Sequence, residues 1–427
     1  YSLPPTDTYC KPCPTGANCN GGYFVELLPG YWRNSTTSDI IMACNDSSTR
    51  CAGTYDSVCK EGFVGPLCHQ CDLYNGYVRQ GSVTSMSCGK CPSDTQTYLL
   101  TLMYILGMFI YQLYFVRVSI TTNRQYYKAV QENLPNPTST GPYIRGITTY
   151  LQIITIVSSF NAGFENYFGI HSSDSGTSDL FYSHDCLFVS LGIQPENQLR
   201  AKVVFNLLLP IIKLLVIYLI WTIRWRGTFT QKRKIRLFII AISFFVLEQP
   251  GIVQTLISYS SCSKLLLDSS AYYVYGNEFF KCGTDDYQSF YYWVVVPFFC
   301  VYFWILPLIL FLILYSHRNN LNGETIRIAM GTLYNEFTPK AYYWGMIIIA
   351  FKLLLLVLNN LLMHDIKTKA SVLFLVMYAY KVFLEYKAPY YDANLMKAET
   401  FTIFAYLATV FCSYLFINNE FYIQTMC

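Results

Sequence analysis

The sequence predicts a polytopic all-α membrane protein of about eight transmembrane helices, carrying a small disulfide-rich head built of β-hairpins and loops. Three observations predict it. Of 427 residues, 53% are apolar and only 13% charged, whereas an ordinary soluble domain is about 25% charged. Apolar runs of about 20 residues, enough for a hydrocarbon core roughly 30 Å thick, recur after residue 96 and not before it. Ten of the 16 cysteines fall within the first 91 residues. The charge deficit argues against a cytosolic enzyme. The net charge of +4 is too small and too dispersed for a nucleic-acid binder, which concentrates its basic residues in one domain.

The expected spans are Thr97–Val116, Ile144–Phe160, Val203–Ile223, Leu237–Leu256, Phe290–Tyr315, Tyr343–Met363, Ala370–Leu384 and Thr400–Ile417. The second and seventh are the weakest, being short and interrupted by Gln152, Ser158 and Ser159 in one and Lys381 in the other. Orientation follows from the loops. Those after the first, third, fifth and seventh spans carry fifteen Lys and Arg between Arg117 and Lys397, against six in the alternate loops. The basic set marks the cytoplasmic side, which puts the N-terminus and, with eight spans, the C-terminus outside. The two acceptable N-x-S/T sequons, at Asn34 and Asn45, fall in the same external region. Aromatic pairs and triplets at Trp221 and Trp225, Tyr291 to Trp293 and Tyr342 to Trp344 read as interfacial girdles. The chain opens at Tyr1, read as a mature or partial product lacking its signal peptide. The domains are thus 1–96, an extracellular cysteine-rich module, and 97–427, the multi-span part.

The head holds Cys10, Cys13, Cys19, Cys44, Cys51, Cys59, Cys68, Cys71, Cys88 and Cys91. An even number of cysteines without a long hydrophobic run reads as a segment stapled by disulfides in an oxidising compartment. The C-x2-C pairs also suit zinc knuckles, but the sequons favour disulfides. Connectivity does not follow from spacing. Farther on, Cys262 and Cys282 are expected to bridge, leaving Cys186 to pair with Cys427 or with the head; Cys300 and Cys412 sit inside spans as small packing residues.

Polar residues inside apolar runs are the candidate site, because ionisable groups are costly in a membrane and commonly mark function. These are Lys213, Glu248, Gln249, Lys352, Asn359 and Asn360, with Lys381 and Glu385 beside them. Glu248-Gln249-Pro250-Gly251 stands out: proline removes a backbone donor, and the freed carbonyl can line a hydrated cavity. Two readings of Glu248 stay open, a carboxylate bordering an ion or lipid pathway and a buried partner of Lys213 or Lys352. Pro297 and Pro307 break the fifth span in the same manner, for packing or for gating. Neither H-E-x-x-H, nor a phosphate-binding G-x-x-x-x-G-K-[ST], nor G-x-S-x-G occurs, and the histidines are scattered; no enzymatic activity is expected.

The segment Cys59 to Cys68, with Gly62-Phe63-Val64-Gly65-Pro66-Leu67, resembles the closing loop of EGF and laminin-type EGF modules. Taken in order with Tyr150-Leu151-Gln152-Ile153, Asp185-Cys186-Leu187, Gly323 to Arg327, Gly331 to Phe337 and Lys387-Ala388-Pro389-Tyr390, the chain resembles protist transmembrane proteins, abundant in ciliates. Those join an ephrin-receptor-like cysteine-rich ectodomain to a TRP-like membrane domain. The resemblance implies a TRP-like cation channel, mechanosensitive or calcium-permeable, in the plasma or ciliary membrane, with the head as an adhesion or tethering module. A non-conducting anchor for an extracellular filament or coat, and a receptor or lipid transporter, are the alternatives. No cofactor or metal is expected beyond N-linked glycans and bound lipids. The expected partners are membrane lipids, an extracellular protein or filament held by the head, and further copies of the chain.

Overall fold

Short strands separated by glycine-rich turns build the N-terminal region, and long apolar helices build the rest. In the computed structural model the described residues are 10–21, 24–44, 50–80, 87–135, 137, 140–158, 184–224, 230–264, 272–274, 277–362 and 365–426. The chain divides into two units, one of Tyr1–Thr101, Ser178–Lys202 and Tyr259–Tyr291, the other of Leu102–Thr177, Val203–Ser258 and Tyr292–Cys427.

In the first unit, β1 (Ala17–Cys19) pairs with β2 (Val25–Leu27), β3 (Tyr31–Trp32) with β4 (Met42–Ala43), and β5 (Cys51–Gly53) with β6 (Val58–Cys59). Next come β7 (Phe63–Val64) with β8 (Gln70–Cys71) and β9 (Tyr77–Gln80) with β10 (Ser87–Lys90), all antiparallel. Two-stranded ribbons this short have too little apolar face to stand alone. Disulfides Cys13–Cys19, Cys44–Cys51, Cys59–Cys68 and Cys71–Cys88 staple them. Trp32, Cys44, Cys51 and Cys68 form the small core, with Phe63 and Leu67 packed on it. Arg33 is buried beside that core and donates from Nη2 to the carbonyls of Val25 (3.0 Å) and Tyr55 (2.8 Å). Two glycines are dictated by geometry. Gly53 has φ +81°, and a Cβ there would stand 2.5 Å from the Leu27 carbonyl; Gly62 has φ +85°, and its Cβ would stand 2.8 Å from the Tyr77 ring.

Of the two partners expected for Cys186, the head and Cys427, the structure shows the head. Cys91 bridges Cys186, 95 residues away, leaving Cys10 exposed and unbridged. The long bridge is surrounded by apolar side chains: Val78, Leu73, Leu100, Leu187 and Val189 pack around Cys91 and Cys186. Cys186 lies in α3 (His184–Ser190), where Asp185 pairs with Lys202 at 3.4 Å. Cys262–Cys282 ties the sheet of β11 (Cys262–Lys264), β12 (Tyr272–Val274) and β13 (Asn277–Lys281). Tyr287 stacks on Tyr259 at 5.0 Å and donates its hydroxyl to the Tyr259 carbonyl at 3.0 Å. Cys427 lies outside the described residues.

The helices of the long apolar part are α1 (Asp94–Gln131), α2 (Thr140–Ser158), α4 (Pro195–Arg224) and α5 (Thr230–Ser260). They continue with α6 (Asp285–Ser316), α7 (Glu324–Tyr334), α8 (Trp344–Leu361), α9 (Ile366–Lys387) and α10 (Ala393–Met426). Thr284 caps α6 by accepting from the Tyr287 N–H (3.3 Å), and Asp365 caps α9 by accepting from the Lys367 and Thr368 N–H groups. Ala388, at φ +39° and just before Pro389, ends α9. Among the described residues, six helices are long and apolar enough to cross a membrane, within α1, α4, α5, α6, Pro339–Leu361 and Ala393–Cys412. The other two expected runs fall in α2 and α9, which are helical but fall short of that mark. Arg145 and Gln152 interrupt α2, while Lys367, Lys369, Lys381, Glu385 and Lys387 load α9. Within α9, Lys381 pairs with Glu385 at 2.9 Å.

In the second unit the core gathers α7, α8, α9 and α10 around Met330, Leu333, Leu355, Leu373, Met377, Ile403 and Tyr406. Trp344, expected at an interface, is instead 0% exposed, stacked on Phe383 at 5.1 Å, because α8 packs its first turn on α9. Tyr292 and Trp293 match the girdle pattern better, with Trp293 81% exposed.

Candidate functional site

Proline breaks and the side chains that bridge them define the interior of the second unit. Pro250, inside α5, has no N–H for the carbonyl four residues back, which belongs to Val246. Gln152 of α2 supplies the missing donor: its Nε2 donates to the Val246 carbonyl at 3.4 Å and to the Leu247 carbonyl at 3.0 Å. Pro307 creates the same deficit in α6, which carries π turns at Tyr291–Val295 and Val301–Ile305. The carbonyls four and five residues back from Pro307 are those of Phe303 and Tyr302, and Gln249 Nε2 donates to Tyr302 at 3.1 Å. Both bridges therefore meet α5 between Val246 and Gln249, one arriving from α2 and the other leaving for α6.

The same stretch holds the ion pair. Lys213 of α4 lies 3.0 Å from Glu248, and Gln112 of α1 donates to the same carboxylate. Of the two readings of Glu248, the geometry is that of a buried pair, with Lys213 as the partner. Lys352 takes a different role, donating from Nζ to Gln152 Oε1 at 2.8 Å. That bond fixes the orientation of the glutamine amide, so its NH2 end faces the Val246 and Leu247 carbonyls. Asn359 and Asn360 lie half-buried in the last turn of α8 and are absent from the lining of the cavity that Lys352 borders. Asn34 is exposed in the head, while Asn45 lies outside the described residues.

A cavity of about 350 Å³ opens between α2, α8 and α10. Tyr150, Gln152, Ile349, Lys352, Glu399 and Ala405 line it, and Tyr150 stacks on Tyr406 at 5.2 Å. Arg145 and Glu336 border it as an ion pair, with Arg145 Nη1 donating to the Thr332 carbonyl at 2.9 Å. Burial holds the Glu336 carboxyl above its ordinary range, and Arg145 opposes that shift only in part. Nearby, Asn123 Nδ2 donates to the Ile328 carbonyl (3.0 Å) and Thr332 Oγ1 (3.1 Å), and Asn335 Nδ2 donates to Asn123 Oδ1 (3.1 Å). Gly331 leaves the space for this link, since a Cβ there would stand 2.1 Å from Asn335 Nδ2.

Glu399, Arg145, Glu336 and Gln112 are functional candidates that sequence reading missed. Glu399 precedes the last apolar run by one residue, and Gln152 counted there only as a weakness of its span. The signal available was a single polar side chain in an apolar setting, which names no partner. Among the described residues, no group of three or more His, Cys, Asp or Glu is arranged to hold a metal ion.

No family model matches the chain. No solved structure matches it either. A stretch of 55 residues, 13% of the chain, is 40% identical to cysteine repeat modular protein A of Toxoplasma gondii. The chain thus spans only 2% of that protein's length. A cysteine-rich head agrees with this likeness.

Proposed function

We propose that the chain is a multi-pass membrane protein of the cation-channel type, TRP-like in its helical part, with the disulfide-stapled region as an extracellular handle. The observation that carries this reading is the pair of proline breaks in α5 and α6, each bridged by one amide side chain. A hydrogen bond of this kind contributes about 0.5–1.5 kcal/mol net, so tension or a ligand can open it. The Lys213–Glu248 pair is harder to separate and acts as a latch on the same stretch of α5. Opening the breaks exposes the Val246 and Tyr302 carbonyls, oxygen ligands of the type that suit a desolvating cation.

The sidedness of the reading is supported by where the segments fall. Ser178–Lys202 and Tyr259–Tyr291 belong to the same unit as the head, and the basic loops belong to the other. The bridges Cys91–Cys186 and Cys262–Cys282 require an oxidising compartment. The proposed location is therefore the cell surface, with the head outside. A second reading, a non-conducting anchor for an extracellular filament, is favoured by the dense stapling of the head. Cation flux from liposomes containing the purified full chain separates the two. The channel reading expects flux in the wild type and more in Gln152→Leu and Gln249→Leu, whose breaks lack their bridges. Flux no greater than in empty liposomes, for the wild type and both variants, removes the channel reading and leaves the anchor.

A further inference from the structure

We propose that the cavity between α2, α8 and α10 binds a membrane lipid with an apolar body and a hydroxyl head, of the sterol or long-chain alcohol class. The site rests on the bundle lying in a bilayer and does not depend on conduction. Its volume of about 350 Å³ falls at the small end of ligand pockets, roughly 300–1,000 Å³, and suits a compact or single-chain molecule.

The mouth faces outward with apolar side chains. Ile147 of α2 is 60% exposed and Phe401 of α10 is 72% exposed, and both line the opening. A ligand therefore enters sideways from the hydrocarbon and not from water. Inside, two charged groups have hydrogen-bonding capacity to spare. The Lys352 ammonium has three donors and gives one to Gln152. Glu399 lines the same cavity and, among the described residues, takes no hydrogen bond. Arg145 is already paired with Glu336, and the other two lining groups, Lys352 and Glu399, have opposite formal charges, so a charged head group would leave one ion uncompensated in a desolvated place. A hydroxyl avoids that cost: it donates to Glu399 and accepts from Lys352. Such a ligand also draws on the lysine that orients Gln152, and through it reaches the proline break of α5.

The test uses the full chain in phosphatidylcholine nanodiscs with a diazirine-bearing sterol as the photoprobe, and the labelled peptides are mapped by mass spectrometry. Labelling is expected on 143–152 and 398–405, competed either by unlabelled sterol or by a long-chain alcohol; the better competitor identifies the source. Capping the hydroxyl as a methyl ether, or introducing Glu399→Gln, is expected to weaken the interaction roughly tenfold, the effect of losing one hydrogen bond to a charged group. Ala405→Phe fills the cavity and is expected to abolish labelling there while leaving that around the exposed Trp304 of α6, which reports a folded protein. Three results overturn the proposal: labelling of these segments that nothing competes, equal competition by the ether, or labelling that survives Ala405→Phe with the Trp304 control intact. Absence of labelling around Trp304 as well contradicts bilayer insertion and so falls on the proposed function. If Ala405→Phe does not fold, the ether and Glu399→Gln arms decide the matter.

Discussion

Replacing Lys213 with methionine strands the Glu248 carboxylate inside the bundle with Gln112 as its remaining donor. The side chains of the pair are 8% and 21% exposed and lie 3.0 Å apart, so the bridge is largely desolvated. Removing one partner of a buried pair costs about 3–5 kcal/mol. The exposed fraction of Glu248 places the expected loss near the lower end, about 3 kcal/mol. Glu248→Gln alone strands the ammonium and should cost a similar amount. The double change Lys213→Met with Glu248→Gln leaves neither charge, keeps side-chain volume, and retains an acceptor for Gln112, so its cost should stay within about 1 kcal/mol of wild type. The two single losses therefore exceed the double by several kcal/mol, a coupling expected only of groups in contact. Reversible unfolding in mixed micelles, followed by tryptophan fluorescence, measures all four proteins. Additive losses would show that Lys213 and Glu248 do not hold each other, and the latch assigned to α5 would go with them.

Three further outcomes follow from other parts of the structure. Cys91→Ser with Cys186→Ser opens a link between residues 95 apart; the chain-entropy contribution of such a loop is about 4.7 kcal/mol. The mutant should lose most of its ordered head by limited proteolysis, while Cys10→Ser changes nothing because Cys10 is unbridged. Gly345→Ala puts a Cβ 2.1 Å from the Leu333 carbonyl, a backbone atom that cannot swing away; about 1–3 kcal/mol of stability should be lost, read by the same unfolding assay. Burial raises the Glu336 carboxyl above its unfolded value, so the native state holds its proton more tightly than the unfolded chain. Stability should then fall as pH rises from the ordinary carboxyl value of about 4.3 through the raised native one. Glu336→Gln should flatten that slope, and an unchanged slope would assign it to other groups.

Helices were legible where apolar residues ran unbroken for about 20 positions, because hydropathy alone specifies that a segment must be shielded from water. Cys262–Cys282 was legible for a related reason, as two cysteines on one short segment between apolar runs. For Cys186 only the alternatives, the head or Cys427, were legible; the choice of Cys91 is decided by the tertiary packing of Val78, Leu73 and Leu187. Trp344 shows the limit of the girdle rule, because an aromatic at a helix start packs inward when a neighbouring helix, here α9, offers a face. The helix α7 escaped notice because 11 residues give too short a stripe to separate from a loop. The cavity and the proline bridges were hidden most deeply. Gln152 and Lys352 are 200 positions apart, and nothing local to either residue names the other. What could be read was the deficit itself: Pro250 frees a carbonyl that must find a donor.

Single-channel recording from the purified full chain in a planar bilayer, with suction applied across the membrane, tests the functional proposal most directly. The expected result is stepwise cation current that rises with tension and is more frequent for Gln152→Leu than for wild type. Silence from both proteins under every tension and voltage, with insertion verified by protease protection, would contradict it.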